Sequence, residues 1–175
     1  HQCWHLALGK SNSYGPESGM KKMLTNIVFL IIGATIVLGL VIVCNPSAFW
    51  TKVAGAPDMG PVDFATLRGT TKPNQFLMCP DGLCETRKPG AQSPRYNVSK
   101  ERLKAHFLDV MADEKHEVAE DNGTVFRFIA RSPTLGFPDT VSVEFKDAEG
   151  GSTLAVYARA QVGYSDMGKN EERVR

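Results

Sequence analysis

Apolar residues follow one another without interruption near the start of the chain. The run Ile27–Val43 reads IVFLIIGATIVLGLVIV and contains no charged residue, and Met23 and Leu24 extend it at the front. Its length approaches the roughly 20 apolar residues that a helix needs to cross a bilayer. The pattern therefore predicts a transmembrane helix, acting as a signal anchor, over residues 20–44.

The residues on either side of this run indicate its orientation. Lys21 and Lys22 precede it, and Phe49 and Trp50 follow it. A basic cytoplasmic flank and an aromatic anchor at the opposite interface are typical of a membrane-spanning helix. We therefore expect a single-pass protein of the bacterial inner membrane, with its C-terminal domain in the periplasm.

Two alternatives to a retained anchor stay open. A signal peptide can be cleaved at small residues near Ala48 or Ala56, which would release a secreted protein. A lipoprotein signal can end at Cys44, although Val43 stands where a small residue is favoured. All three interpretations place the rest of the chain outside the cytoplasm. Residues 1–19 show no periodicity, and we interpret them as a non-native or upstream extension.

Turn-forming residues dominate the next part of the chain. Residues 45–72 contain several prolines and glycines, and we interpret them as a juxtamembrane linker. The stretch KPNQFLMCPDGLCETRKPG follows and predicts an irregular loop region that contains two cysteines. We expect the folded domain to occupy residues 73–175.

Helical periodicity first becomes clear in SKERLKAHFLDVMADE. Ser99 is a candidate N-cap, and Leu103, Phe107, Val110 and Met111 recur at the spacing of one helix face. The stretch predicts one amphipathic helix of about four turns. Its apolar face must pack against another apolar surface of the protein.

Alternating apolar and polar residues then predict a sheet against which this helix packs. HEVAED and TVFRFIAR flank Asn122-Gly123, a strong signal for a two-residue hairpin. TVSVEFK and STLAVYARAQV alternate apolar and polar residues, and KNEERVR begins a second helix that Ser165 or Asp166 would cap. We therefore expect an α+β fold: an antiparallel four-stranded meander packed against the amphipathic helix, with a truncated C-terminal helix.

Composition and charge narrow the function classes. The chain of 175 residues has 20 basic and 19 acidic residues, and its formal net charge of +1 gives no field that would attract nucleic acid. The four cysteines lack the paired spacing of a zinc module. We expect one domain, no metal, no cofactor and no nucleic-acid partner.

Cys79 and Cys84 stand close together in MCPDGLC. Four residues separate them, whereas a redox motif usually keeps two. A structural disulfide that closes a tight loop in an oxidising compartment is the interpretation we favour. A redox pair and half of a metal site are the alternatives.

Arginines on the predicted strands are the second candidate constellation. Arg127, Arg131 and Arg159 occupy positions on the less apolar face, and Asp139 and Asp166 begin the segments that follow nearby loops. The cluster can be a solvated sheet face, a network of salt bridges, or a pocket for an anion, because arginine presents a planar fork suited to carboxylate or phosphate.

Signals for catalysis are weak. No serine stands in a nucleophile-elbow context and no glycine run has the spacing of a phosphate-binding loop. His106 lies on the polar side of the predicted helix, where a lone histidine is more often a surface residue. No residue can therefore be assigned a catalytic role from the sequence.

The motifs KPNQFLMCPDGLC, SPRYNVSKERL, RSPTLGFPDTVSVEF and YARAQVGYSDMGKNEERVR, in this order, resemble the domain-of-unknown-function-1499 family (DUF1499), an uncharacterised family of bacterial envelope and plastid proteins. The resemblance runs from about Pro73 to the last residue. It implies one α+β domain and no particular activity. This chain departs from the family pattern at Ala158, Ala160 and Gln161, where relatives tend to carry two serines and an arginine.

The resemblance and the polar pattern together select a set of candidate ligand-binding residues in the second half of the chain. These residues are Arg131, Asp139, Arg159, Tyr164, Ser165, Asp166, Asn170 and Arg173.

Three functions are compatible with this set. The first is a non-catalytic, membrane-tethered domain that binds an envelope protein or a small anionic ligand through the corner between Arg159 and Arg173. The second is an enzyme on an anionic envelope substrate, with Asp166 or Asp139 as general base and Arg131 and Arg159 as anion holders. The third is an internal brace without a ligand.

Overall fold

The structure is a computed structural model that describes residues 16–175, and the chain divides into two compact units after Val41. The first unit contributes most of helix α1 (Pro16–Cys44). Residues Gly19–Cys44 of this helix have a mean hydropathy of 3.1 and are long and apolar enough to cross a membrane. A membrane anchor and a signal sequence both fit this finding. Residues 1–15 of the expected upstream extension lie outside the described residues.

The second unit is built on one six-stranded sheet. Five neighbouring pairs join the strands in the order β2-β1-β6-β5-β4-β3, and all pairs are antiparallel except the parallel pair β1–β2. The strands are β1 (Gln75–Cys79), β2 (Ala91–Gln92), β3 (His116–Asp121), β4 (Val125–Arg131), β5 (Pro138–Ala148) and β6 (Gly151–Ala160).

The expected α+β class is confirmed, but the four-stranded antiparallel description is wrong. The predicted strands are β3 to β6, and β1 and β2 extend the sheet beyond β6. Strand β1 is short, and turn-forming residues surround it, which hides its alternation of Phe76 and Met78 with Leu77. It pairs with the edge of β6, whose backbone groups would otherwise lack partners.

Three further helices belong to the second unit: α2 (Pro46–Ala54), α3 (Lys100–Met111) and α4 (Lys169–Val174). Ser99 caps α3, since its hydroxyl accepts a hydrogen bond from the backbone N–H of Arg102 at 3.3 Å. In α2, the indole Nε1 of Trp50 donates to the carbonyl of Leu135 at 2.7 Å, and its ring lies 4.5 Å from that of Phe137.

One face of the sheet, the helix-covered face, packs against α3 and α4. Val141, Val143 and Phe145 of β5 alternate onto this face and are buried. Leu103 of α3 and Val174 of α4 pack against the same cluster. This is the larger of the two apolar cores.

The opposite face, the loop-covered face, is closed by residues 54–67, which we call the crossing segment. Phe64 and Leu67 of this segment are 2% and 8% exposed, and they pack with Leu77 and Tyr157 of the sheet. The crossing segment falls within the range 45–72 that the sequence suggested as a linker. Its apolar side chains form part of a second core.

We expect Phe64→Ala to destabilise the second unit by about 3–5 kcal/mol, because truncation of a buried phenylalanine leaves a cavity. Near-UV circular dichroism of the full chain in detergent micelles should show a melting temperature lower by about 10 °C. Val53→Ala, at a position that is 62% exposed, is the control and should change little. Equal melting temperatures for the two variants would show that the crossing segment is not part of the folded unit.

Candidate functional site

Polar side chains from the strands hold the crossing segment on the loop-covered face. The Gln161 amide Nε2 donates to the carbonyls of Ala54 and Ala56 at 3.0 and 2.6 Å. The Thr140 hydroxyl donates to a backbone carbonyl of the segment at 3.1 Å and accepts from the N–H of Met59 at 3.0 Å. These bonds satisfy backbone groups that would otherwise be buried without partners.

Arg127 binds the same segment through a charged contact. Its guanidinium donates to both carboxylate oxygens of Asp58, at 3.0 and 3.1 Å, and also to Glu120. Burial raises the pKa of Asp58, but the hydrogen bonds from Arg127 and Gly60 and the charge of Arg127 outweigh burial, so the pKa lies below its ordinary value of 3.8. Arg127 is therefore a fully compensated cation.

Arg159 lies on the same face but differs in its partners. Its Nη2 donates to the carbonyls of Met59 and Gly60 at 2.9 and 2.6 Å. Within the part of the chain that the structure describes, no carboxylate forms a salt bridge with it. Burial lowers its pKa, yet an arginine side chain stays protonated in water. Arg159 is therefore a partly buried cation without an ionic partner.

A cavity of about 250 Å³ opens beside Arg159. Arg159, Lys72 and Tyr157 are the lining residues that bear on its chemistry, because two are cations and the third is aromatic. The guanidinium carbon of Arg159 lies 5.7 Å from the centroid of the Tyr157 ring, within the range of a cation–π contact. The complete lining is Met59, Leu67, Gly69, Thr70, Lys72, Asn74, Gln75, Tyr157, Arg159, Ala160 and Gln161.

Gln75 shapes the rim of this cavity. The Tyr157 hydroxyl donates to its Oε1, and its Nε2 donates to the carbonyls of Thr70 and Lys72, each at 2.7 Å. Gly69 has a φ of +67°, and a Cβ at this position would meet the Arg87 guanidinium at 1.6 Å. The rim therefore requires glycine at position 69 and is held by side chains of β1 and β6.

Unsatisfied polar atoms concentrate on the loop-covered face. Among the described residues, the buried side-chain atoms without a hydrogen-bond partner are Arg131 Nη2, Ser142 Oγ, Arg159 Nε and Gln161 Oε1. All four residues alternate onto this face of the sheet, and Arg159 and Gln161 both line the cavity. Buried polar groups normally have partners, so these four atoms have hydrogen-bonding capacity that residues 16–175 do not use.

A second polar cluster lies beside the helix-covered face. The carboxylate of Asp166 accepts from the N–H groups of Gly168 and Asn170, at 3.1 and 2.8 Å. It so binds the first turn of α4, whose N-cap residue is Gly168 rather than the expected Ser165 or Asp166. The fully buried Asn170 amide donates to the carbonyl of Asn74 at 3.2 Å and accepts from Arg173 at 2.7 Å. These bonds connect α4 to the start of β1.

Arg173 completes this cluster through Asp139. Its Nη1 lies 2.9 Å from a carboxylate oxygen of Asp139, which is 7% exposed. Burial raises the pKa of Asp139, against the opposing effect of Arg173. The hydrogen bonds and this ion pair together have the geometry of a brace between α4 and the sheet.

The structure thus separates the candidate residues into two groups. Arg131 and Arg159 belong to the loop-covered face, and Nε of Arg131 donates to Glu117 at 2.7 Å. The other group, which lies with α4, consists of Asp139, Ser165, Asp166, Asn170 and Arg173. Ser165 accepts from the N–H of Met167 at 3.2 Å, and Tyr164 is 71% exposed.

Sequence reasoning missed Lys72, Gln75 and Asp58 as parts of the Arg159 surroundings. Lys72 precedes a strand that the sequence did not reveal, Gln75 is the first residue of that strand, and Asp58 lies in the crossing segment. A signal for Tyr157 was available, because it shares its alternation with Arg159.

The cysteine pair lies at the edge of the second core. The sulfur atoms of Cys79 and Cys84 are at disulfide-bonding distance, and their Cα atoms are 6.2 Å apart. No cluster of three or more metal-ligating side chains is found among residues 16–175. A disulfide is thus the chemistry that the geometry of this pair supports.

We expect Asp58→Asn to lower the melting temperature by several degrees at about pH 6 and by less at about pH 3. The folded pKa of Asp58 is lowered, so its contribution to stability is present above the unfolded value of 3.8 and is lost as the pH falls through the folded value. Thermal melts of wild type and variant at both pH values measure this. Asp63→Asn removes one negative charge from the same segment and is the control. A melting-temperature difference between wild type and Asp58→Asn that is larger at the lower pH would contradict a stabilising role of the ionised Asp58 carboxylate.

We expect Asn170→Ala to lower the free energy of unfolding by about 1–3 kcal/mol, since it leaves the buried Arg173 contact and the Asn74 carbonyl without their amide partner. Lys169→Ala, whose side chain is exposed and paired at the surface with Glu172, should have an effect below about 0.5 kcal/mol. Denaturant titration of both variants measures the difference. Equal free energies of unfolding for Asn170→Ala and Lys169→Ala would show that the Asn170 amide does not fix α4 against the sheet.

Comparison with known proteins adds one finding. The family model described as protein of unknown function (DUF1499) matches residues 68–175, more than half of the chain. Comparison with curated proteins and with solved structures gives no match. The family match covers the cluster around α4 and all the motifs from which the resemblance was inferred, whereas the crossing segment, residues 54–67, precedes it. The chain therefore belongs to the DUF1499 family.

Proposed function

We propose that this protein is a membrane-anchored domain that binds a small anionic ligand in the Arg159 cavity. The single observation that carries the proposal concerns the partly buried Arg159 guanidinium. It lines the cavity, and its hydrogen-bond partners among residues 16–175 are only neutral backbone carbonyls. A cation in such surroundings gains more from an anion than an exposed cation does, because the local dielectric is low.

The other arginines of the two clusters support this choice by contrast. Arg127, Arg131 and Arg173 each form an ion pair with a carboxylate of the protein. Their charge is already balanced, so an added anion would have to compete with a carboxylate. Arg159 has no such competitor within salt-bridge distance among residues 16–175.

The location of the domain is proposed from two features. Helix α1 has the length and composition of a membrane span, and Lys21 and Lys22 precede its apolar run. Cys79 and Cys84 lie at disulfide-bonding distance, and disulfides persist in oxidising compartments. Both features support a domain outside the cytoplasm, which in a bacterium would be the periplasmic side of the inner membrane.

Binding is favoured over catalysis because the acids are not placed to serve as a base beside Arg159. Asp139 lies on the opposite face of the sheet, where Arg173 binds it. Asp166 accepts a hydrogen bond from a backbone N–H at the start of α4, and Arg127 donates to both carboxylate oxygens of Asp58. No carboxylate of residues 16–175 lines the cavity.

We expect the full chain in detergent micelles to bind inorganic phosphate or succinate in isothermal titration calorimetry. Arg159→Gln should weaken binding at least about tenfold, since it removes a charge-assisted contact. Arg102→Gln removes an exposed arginine of α3 that is remote from the cavity lining, and should leave the affinity unchanged.

Melting temperatures of both variants control for misfolding. Binding that survives Arg159→Gln at wild-type affinity would refute this site, and the absence of saturable binding of either anion to wild type would refute the proposal.

A further inference from the structure

We infer that the ligand of this cavity carries two negative charges on one group, as a phosphate monoester does. The inference rests on the proposed function and specifies its ligand class. It follows from counting the charges that surround the cavity and from the way in which their side chains are already engaged.

Three cations stand around the cavity. Arg159 and Lys72 line it, and the guanidinium carbon of Arg87 lies 5.9 Å from the Tyr157 ring centroid, close to the distance of Arg159 from the same ring. The Nη1 of Arg87 donates to the carbonyl of Arg68 at 3.1 Å. Within residues 16–175, none of the three cations forms a salt bridge.

The acids that interact with Arg159 and with its neighbour Arg127 offset only part of this charge. Asp58 interacts electrostatically with Arg159, but both of its oxygens accept hydrogen bonds from Arg127. Glu120 binds Arg127 as well, so this group of two carboxylates and one arginine has a single negative charge left. Three cations against that one charge leave two positive charges, which a dianion would neutralise.

The arrangement favours a phosphate over two separate carboxylates. Two of the cations line one cavity of about 250 Å³, and Arg87 lies beside the Tyr157 ring that forms part of its wall. A cavity of this size suits a compact charged group with a short organic substituent. A phosphate monoester concentrates almost two charges and three strong acceptor oxygens on one centre. Arginine forks match such oxygens in pairs, and lysine adds a point charge.

The test compares methyl phosphate, a dianion at about pH 8, with dimethyl phosphate, a monoanion of similar size. Both are titrated by calorimetry into the full chain in detergent micelles. We expect the dianion to bind at least about tenfold more tightly. Lys72→Met should reduce this ratio to about threefold or less, because it removes one of the cations that distinguish the two charges.

Lys88→Met removes an exposed lysine outside the cavity lining and should leave the ratio unchanged. Arg87→Gln is a second variant that should also reduce the ratio. Equal affinities for the two esters, or a ratio that neither variant changes, would overturn the inference and leave the anion site in place. Failure of every anion to bind would overturn the proposed function as well.

A phosphate monoester can be a soluble compound or a lipid headgroup, and the same assay separates the two. The full chain is placed in phosphatidate-containing nanodiscs and titrated with methyl phosphate. A lost titration signal, restored in nanodiscs without phosphatidate, assigns the monoester to a lipid headgroup. An unchanged signal assigns it to a soluble ligand.

Discussion

Both faces of this six-stranded sheet carry an apolar core, and the different ways in which the chain covers them determine the rest of the structure. The helix-covered face is apolar, and α3 and α4 bury it by ordinary side-chain packing. Neither α3 nor α4 contributes to the core on the loop-covered face. An extended segment rich in proline and glycine crosses it instead, and such a segment brings backbone groups that must be hydrogen-bonded.

The polar residues of β4, β5 and β6 meet this requirement. Gln161, Thr140, Arg127 and Arg159 each bind the crossing segment, while Phe64 and Leu67 add apolar cover farther along. The arginines of this face therefore help to hold the segment that covers it. Arg159 combines this structural contact with an unbalanced charge at a cavity, and this combination separates it from Arg127.

The second polar cluster has a different physical character. Asp166, Asn170, Arg173 and Asp139 satisfy one another and the backbone at the start of β1. Among the candidate residues, these are the ones that fix α4 against the sheet. The closing stretch of the chain therefore combines a carboxylate that binds the first turn of α4, a buried amide and an ion pair, which accounts for its density of short polar residues and glycines.

Local patterns allowed a large part of this fold to be predicted. The helix after Ser99, a hairpin at Asn122-Gly123 and the alternation of β5 and β6 follow from capping, turn geometry and the period of two in a strand. The hairpin loop spans residues 122–124, however, and is one residue longer than the predicted two-residue loop. Strand β1 was not predictable in this way, because five residues between turn formers give little periodicity. The crossing segment resembles a linker in sequence, since its backbone partners lie about 70 to 110 residues away.

The sequence also did not reveal that the candidate residues fall into two groups on opposite faces of the sheet. Arg159 and Asp166 are seven positions apart, yet the turn after β6 brings Asp166 to α4 while strand alternation directs Arg159 to the loop-covered face. Proximity along the chain suggested one site. The three-dimensional arrangement yields a candidate binding cavity on one face and a structural brace on the other.

The central claim is that Arg159, which has no ionic partner among residues 16–175, binds an anionic ligand. Native mass spectrometry of the full chain, extracted gently from membranes, tests it most directly. The account predicts an extra mass on the wild-type protein that is absent from Arg159→Gln and present on Arg102→Gln. Retention of the same mass by Arg159→Gln, or a bare wild-type protein, would contradict the account.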